Sequence, residues 1–189
     1  GYQDDYVQSL IKHPMDFMSD ILKEMGYGDA KIGVEMDNYY FTPRAYNSIK
    51  ENLPKAEIKD ANRVIPLVRQ IKSEQELEYM KMAAKIVEKT MQTAIDKIDV
   101  GVREGDAAGK VYQAQISGTE QFTGDYTAIA PIMPSAERTS TAHLTWTDRK
   151  YQKGDVVLLE LAGSKYKYHA PLSRTLYIGD PPDELSEIA

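Results

Sequence analysis

The sequence predicts an α/β chain, α+β in detail, arranged as two domains. Three observations carry this: helix and strand signals alternate over residues 1–66, a long amphipathic helix opens at Ser73, and two adjacent strand patterns fill residues 156–178. A length of 189 residues suits one large domain or two small ones, since domains commonly run ~100–200 residues.

Residues 14–25 read as a helix, with Pro14 in the first turn and Gly26 beyond the end. Residues 31–36 form a short strand pattern, residues 43–52 a second proline-opened helix closed before Pro54, and residues 56–59 another short strand. Pro66 marks the domain boundary. At Ser73 the side chain can cap a helix, and Glu76 three residues later completes a capping box. Leu77, Met80, Ala84, Val87, Met91, Ala94 and Ile98 then recur at alternating threes and fours, one continuous apolar stripe. With only about three heptads, a helix covering a sheet is favoured over a coiled-coil seam. Gly101 ends it. A further helix covers residues 104–117, residues 127–133 read as a strand stopped by Pro134, and a polar loop at 135–141 leads to His143.

Residues 156–161 form a continuous apolar run, as expected of a strand buried on both faces. Gly163 and Ser164 offer a turn, and residues 166–178 read as the return strand. One carboxylate, Glu160, interrupts the apolar run, and a buried carboxylate is costly unless paired or used.

Composition narrows the function classes. With 42% hydrophobic and 28% charged residues the chain suits a soluble globular protein. No window approaches the ~18 apolar residues of a membrane span, and the opening GYQDDYVQ lacks the basic and apolar regions of a signal peptide. The absence of cysteine excludes disulfides, thiolate metal sites and a cysteine nucleophile, and fits the cytoplasm. A net charge of −6 without a basic run argues against nucleic acid as a partner.

The stretch from Gly154 to Thr175 carries a resemblance. It is similar to the catalytic hairpin of the pita-bread hydrolases, the family of methionine aminopeptidase, Xaa-Pro peptidases and creatinase. Metal-dependent members carry G-D-x-V-x-x-D on the first strand and Y-x-x-D-x-x-R-T on the second. Here the G-D is Gly154-Asp155, the Y is Tyr168 and the R-T is Arg174-Thr175, while the two ligand positions, eleven residues apart, hold Glu160 and Pro171. Proline has no metal-binding group, so the resemblance points to the metal-free, creatinase-like branch. The run E-L-A-G followed by Y-H-A-P-L-S-R-T resembles the ectoine-hydrolysing members most. The segment R-x-I-K-S-x-x-E, beginning at Arg69, is one that commonly opens the pita-bread domain.

The resemblance implies residues 1–66 as the C-terminal part of a creatinase-like N-terminal domain, and residues 67–189 as the N-terminal half of a pita-bread catalytic domain. It also implies that the 189 residues are a fragment, inactive alone, because the histidine and two glutamates of the second half have no counterpart. A half-sheet without its partner exposes apolar edges, so marginal stability or oligomerisation is expected.

The resemblance assigns His143, in T-A-H-L-T-W, to substrate contact and proton movement. An ordinary histidine titrates near ~6.5, which suits that role; a loop histidine capping a backbone group is the alternative. Glu160 has three readings: metal ligand, buried partner of Arg174, or a carboxylate gripping an amidine-like cation through paired charge-assisted hydrogen bonds. Strand alternation puts His169 on the face of position 171; it is counted with Trp146, Tyr168 and Arg174 in the substrate-binding set, with a half-exposed strand histidine as the alternative. Trp146, Tyr166 and Tyr168 could attract a cation such as ectoine within ~6 Å of a ring, or simply fill core. His13 precedes a helix and reads as structural.

The leading expectation is therefore a metal-independent hydrolase of C–N bonds that opens a cyclic amidine such as ectoine, with no cofactor, a small-molecule substrate, no membrane or nucleic-acid partner, and a homodimer by resemblance. The rivals are a metal-dependent Xaa-Pro aminopeptidase or dipeptidase holding two manganese or cobalt ions, and a non-catalytic binding relative.

Overall fold

The structure, a computed structural model, describes residues 12–188. Residues 1–11, on which the expectation of no signal peptide rests, and Ala189 lie outside the described residues. The chain divides into two compact units between Ile71 and Lys72.

In the first unit, α1 (Pro14–Glu24) starts on a proline whose missing N–H costs nothing at a helix start. His13 caps it. Its Nδ1 accepts from the Met15 amide at 3.1 Å, and its own amide donates to the Asp16 carboxylate at 2.8 Å. Asp16 also accepts from Ser48 Oγ at 2.6 Å and Asn52 Nδ2 at 2.9 Å, which fastens α1 to α2 (Pro43–Asn52). These bonds, the one from Ser48 foremost, hold the Asp16 carboxyl below the usual carboxylate range. Strands β1 (Lys31–Val34) and β2 (Glu57–Asp60) pair in parallel, with Ile32 opposite Ile58 and α2 as the crossover. Val34, Ile49 and Leu53 form the small core. Pro66, the expected boundary, lies in the first turn of α3 (Val64–Gln70).

The second unit is a helical layer on a hairpin. Helix α4 (Glu74–Lys97) begins with the capping box read from sequence: Ser73 Oγ accepts from the Glu76 amide, and Glu76 accepts from the Ser73 amide at 2.7 Å. It packs on β3 (Val156–Lys165), β4 (Tyr168–Tyr177) and α5 (Glu104–Ser117). Val87, Met91, Ala94 and Ile98 meet Ala107, Ala108 and Val111 of α5 and Val157, Leu159 and Leu161 of β3 in one core. Each of the three strand side chains contributes roughly 1.5–3 kcal/mol through burial. A one-turn-scale 3₁₀ helix (Ala136–Ser140) and α6 (Asp183–Ile188) complete the described elements.

Three local expectations are corrected. First, the hairpin turns at Tyr166 and Lys167, not at Gly163 and Ser164. Both turn residues have positive φ (50° and 67°), the conformation of a two-residue hairpin loop whose twist matches its strands. Gly163 is in β3 because α4 lies directly on it: a Cβ there would come within 2.1 Å of the Ala83 carbonyl oxygen and 2.7 Å of the Val87 nitrogen. Second, residues 127–133 do not form a strand; Ile132 alone of these bridges to β3, at Glu160, and Pro131 and Pro134 on either side remove donors that a longer ladder needs. Third, β3 is covered by helices on one face only. Val157, Leu159 and Leu161 are buried, whereas Glu160 on the other face is exposed.

Candidate active site

The outer face of the hairpin is set by its register. Leu158 lies opposite Thr175, Glu160 opposite Ser173, Ala162 opposite Pro171 and Ser164 opposite His169. Directly opposed residues share a face, so Glu160 stands between an apolar Ala162–Pro171 pair and a Leu158–Thr175 pair. Arg174 is opposite Leu159, on the other face, where its Nη1 donates to the Ser173 carbonyl at 2.7 Å. The ion pair between Glu160 and Arg174 considered from sequence is therefore not formed. Among the described residues the Glu160 carboxylate has no hydrogen-bond or salt-bridge partner.

His143 reaches the same neighbourhood by a different path. The backbone of Ile132 exchanges hydrogen bonds with Glu160, amide to carbonyl at 3.1 Å and 3.0 Å. The next residue, Met133, donates its amide to the Leu144 carbonyl at 3.2 Å. One irregular segment thus ties Glu160 on one side to the residue after His143 on the other. His143 itself is exposed, in the left-handed region at φ 61°, and makes no hydrogen bond among the described residues.

The other expected site residues are engaged elsewhere. His169 shares the outer face with Glu160 but lies four residues along the ladder, roughly 13 Å at strand rise. Its Nε2 accepts from the Ala128 amide at 3.0 Å and its Nδ1 faces the Lys167 carbonyl at 3.0 Å, a pairing that requires the proton on Nδ1. Trp146 packs against the core and meets Tyr112 edge-on, ring centroids 5.6 Å apart. Tyr168 donates its hydroxyl to Glu76 at 2.9 Å and its ring lies 5.5 Å from that of Tyr79. Tyr166, at the turn, stacks at 4.8 Å on the same Tyr79.

Beneath the His143 loop lies a buried polar cluster without a sequence signature. Glu104, in the first turn of α5, is fully buried. It accepts from the Thr147 amide and hydroxyl, each at 2.6 Å, from the Ser135 hydroxyl, and from Arg138 at 3.4 Å. Arg149 donates to Ser135 Oγ at 3.2 Å and grips Asp155 bidentately at 2.5 Å and 2.8 Å. That guanidinium, helped by the Gln152 amide, holds the Asp155 carboxyl below its usual range. Burial, with Glu104 nearby, pushes the Tyr151 phenol up. Asp155 is visible in sequence as half of the G-D motif; Glu104 is one acid among 29 acidic residues, and nothing in its neighbours marks it.

The donors present among the described residues do not make up a dinuclear metal centre. Pro171 offers no ligand atom, its cross-strand partner is Ala162, and no group of three or more histidine, aspartate, glutamate or cysteine side chains converges among the described residues. No described helix is long and apolar enough to cross a membrane.

Comparison with known proteins gives a consistent relationship. The profile of metallopeptidase family M24 matches residues 78–189. Ectoine hydrolase of Halomonas elongata is 40% identical over 97% of this chain and 47% of its own length. Xaa-Pro dipeptidase of Pyrococcus horikoshii is 31% identical over 76% of this chain and 40% of its own. The solved Xaa-Pro dipeptidase of Bacillus anthracis superposes with a TM-score of 0.76 at 26% identity, over 94% of this chain and 48% of that one. The chain spans about half the length of the curated relatives it matches.

Proposed function

Because the chain belongs to metallopeptidase family M24, we propose that it forms part of a metal-independent hydrolase that opens a cyclic amidine, with ectoine as the leading substrate. The observation that carries this is the outer face of the hairpin: Glu160 is exposed and unpaired among the described residues, beside an Ala162–Pro171 pair that cannot hold an ion.

A planar amidinium satisfies such a carboxylate without a metal. Its two N–H groups donate in parallel to the two oxygens, and charge-assisted pairs of this kind are strong and directional. Fixing the cation this way keeps the central carbon electron-poor. Water adds to that carbon, the bond to one ring nitrogen breaks, the carbon becomes an amide carbonyl and the nitrogen leaves as an amine. His143 supplies the leaving proton and recovers one from the attacking water, a contribution of roughly 10²–10⁴-fold. The similarity to ectoine hydrolase across 97% of the chain supports the substrate.

The second reading, a metal-dependent Xaa-Pro dipeptidase, draws on the 31% identity to the Pyrococcus horikoshii enzyme. The two readings diverge in one assay of the whole protein. Ectoine is incubated with enzyme in excess chelator and ring-opened product is followed by NMR. The expected result is turnover that survives chelation and falls at least ~100-fold in Glu160→Gln, with the melting temperature unchanged because the Glu160 carboxylate has no hydrogen-bond or salt-bridge partner among the described residues. Full turnover in Glu160→Gln, or activity confined to Xaa-Pro dipeptides with added manganese or cobalt, would overturn the amidine reading.

A further inference from the structure

We propose that Glu104 is a positioning residue that sets the location of His143. The residues that bond to its carboxylate lie on both sides of that histidine. Ser135 and Arg138 precede it, and Thr147 follows it. One fully buried carboxylate therefore closes the base of the segment spanning residues 135–147.

The closure is reinforced by the start of α5. The Glu104 amide donates to the Arg149 carbonyl at 2.9 Å, and the Gly105 amide to the Thr147 carbonyl at 3.2 Å. A carboxylate in the first turn of a helix also complements the exposed amides and positive end of the dipole there. The anchor is thus rigid at its root, while the segment it holds is exposed at its tip: His143 is solvent-facing, left-handed in backbone and without a hydrogen bond of its own among the described residues. A side chain in that condition is placed by its loop, and the loop is held at its base by Glu104 and at Leu144 by the Met133 amide. The catalytic consequence rests on the role proposed for His143; the mechanical one does not. A displacement of an ångström is enough to lower a proton-transfer rate by about a hundredfold.

The experiment compares the wild-type whole protein with Glu104→Gln, which keeps the size of the side chain but puts a donor where an acceptor is needed. Thr147→Val is the milder companion; it removes the hydroxyl's bond to the carboxylate, together with the bond that hydroxyl accepts from the Arg149 amide at 3.2 Å, and leaves the Thr147 amide on the carboxylate. Two quantities are read: amide hydrogen exchange by segment, and kcat against KM for ring opening. The expected result is exchange at least ~10-fold faster in residues 136–146 with α4 and β3 unchanged, and a kcat lowered ~10-fold or more at a KM within about threefold. Exchange that stays unchanged in the loop, or that rises equally in α4 and β3, overturns the proposal, the second because Glu104 would then only stabilise the unit as a whole. A loosened loop with unaltered kcat also overturns it. In that case His143→Ala separates the causes: if it cripples turnover, the positioning role alone fails, and if it does not, the role of His143 in the proposed function fails with it.

Discussion

Asp155 shows how much one side chain in this chain is asked to hold. It lies at the entry to β3, 9% exposed, and receives both ends of the Arg149 guanidinium together with the Gln152 amide. Its pKa is depressed in the folded state, chiefly by Arg149, from an ordinary 3.8. The sign follows directly. A group with a lowered folded pKa contributes stability in full above its unfolded value, and that contribution fades as pH falls through the unfolded value toward the folded one. Asp155→Asn is therefore expected to cost about 2–3 kcal/mol near neutrality, because it leaves a half-buried guanidinium with a poorer partner. Urea unfolding from about pH 7 to about pH 2.5 should show the gap between wild type and variant narrowing below about pH 4; a gap that stays constant to the acid end would contradict the assignment. At this scale the sequence was half legible. The G-D motif marked Asp155 because it matches a family pattern, and Glu160 stood out because it breaks an apolar run, although as a buried carboxylate where the structure leaves it exposed. Glu104 breaks none: it stands in an ordinary acidic first turn, and only tertiary structure brings Ser135 and Thr147 to it.

Helices were legible as elements because their ends and their stripe are both local, although of the stripe read on α4 Leu77 is exposed and Met80 and Ala84 only partly buried, while Ala83, Ile86 and Thr90, outside it, are buried. The capping box at Ser73 and Glu76 predicts the start of α4, and the structure forms it with both reciprocal bonds. Glu76 does a second thing that no local pattern reveals: it accepts the Tyr168 hydroxyl, joining the first turn of α4 to the start of β4. Ser73→Ala should then cost about 1 kcal/mol, the usual value of a lost N-cap, and should leave Tyr168 where it is. Combining it with Tyr168→Phe in thermal unfolding tests this. The two losses should add if the cap and the hairpin tie are independent, and a strongly non-additive pair would show that the cap orients Glu76 for Tyr168. Strand ends were read less well, for a physical reason. Gly163 signals a turn when only local chemistry is considered, but its missing Cβ serves the close approach of α4, and the true turn at Tyr166 and Lys167 carries neither glycine nor asparagine. Its cost is met by contacts distant in sequence: Tyr166 on Tyr79 at 4.8 Å and the Lys167 amide on the Asp125 carboxylate at 3.0 Å.

At the scale of the whole molecule, one sheet edge and one sheet face decide the behaviour. Strand β4, from Tyr168 to Tyr177, pairs only with β3 among the described strands, so its other edge presents unpaired backbone groups. The outer face beside it carries Val156, Leu158 and Tyr177, all partly exposed, around the charge of Glu160. The chain also spans about half the length of the relatives it matches. A long, partly apolar edge is a template for pairing with another strand. The 189-residue chain on its own should therefore associate: its sedimentation mass should rise with protein concentration, and its unfolding midpoint should rise with it. Thr175→Lys places a charge on the outer face of the edge strand, opposite Leu158, and should suppress the association without loosening the helix-packed face, where Leu172 and Leu176 sit. A single sharp transition with a midpoint independent of concentration would mean that the helical layer alone stabilises the hairpin, and that neither the open edge nor the open face drives assembly.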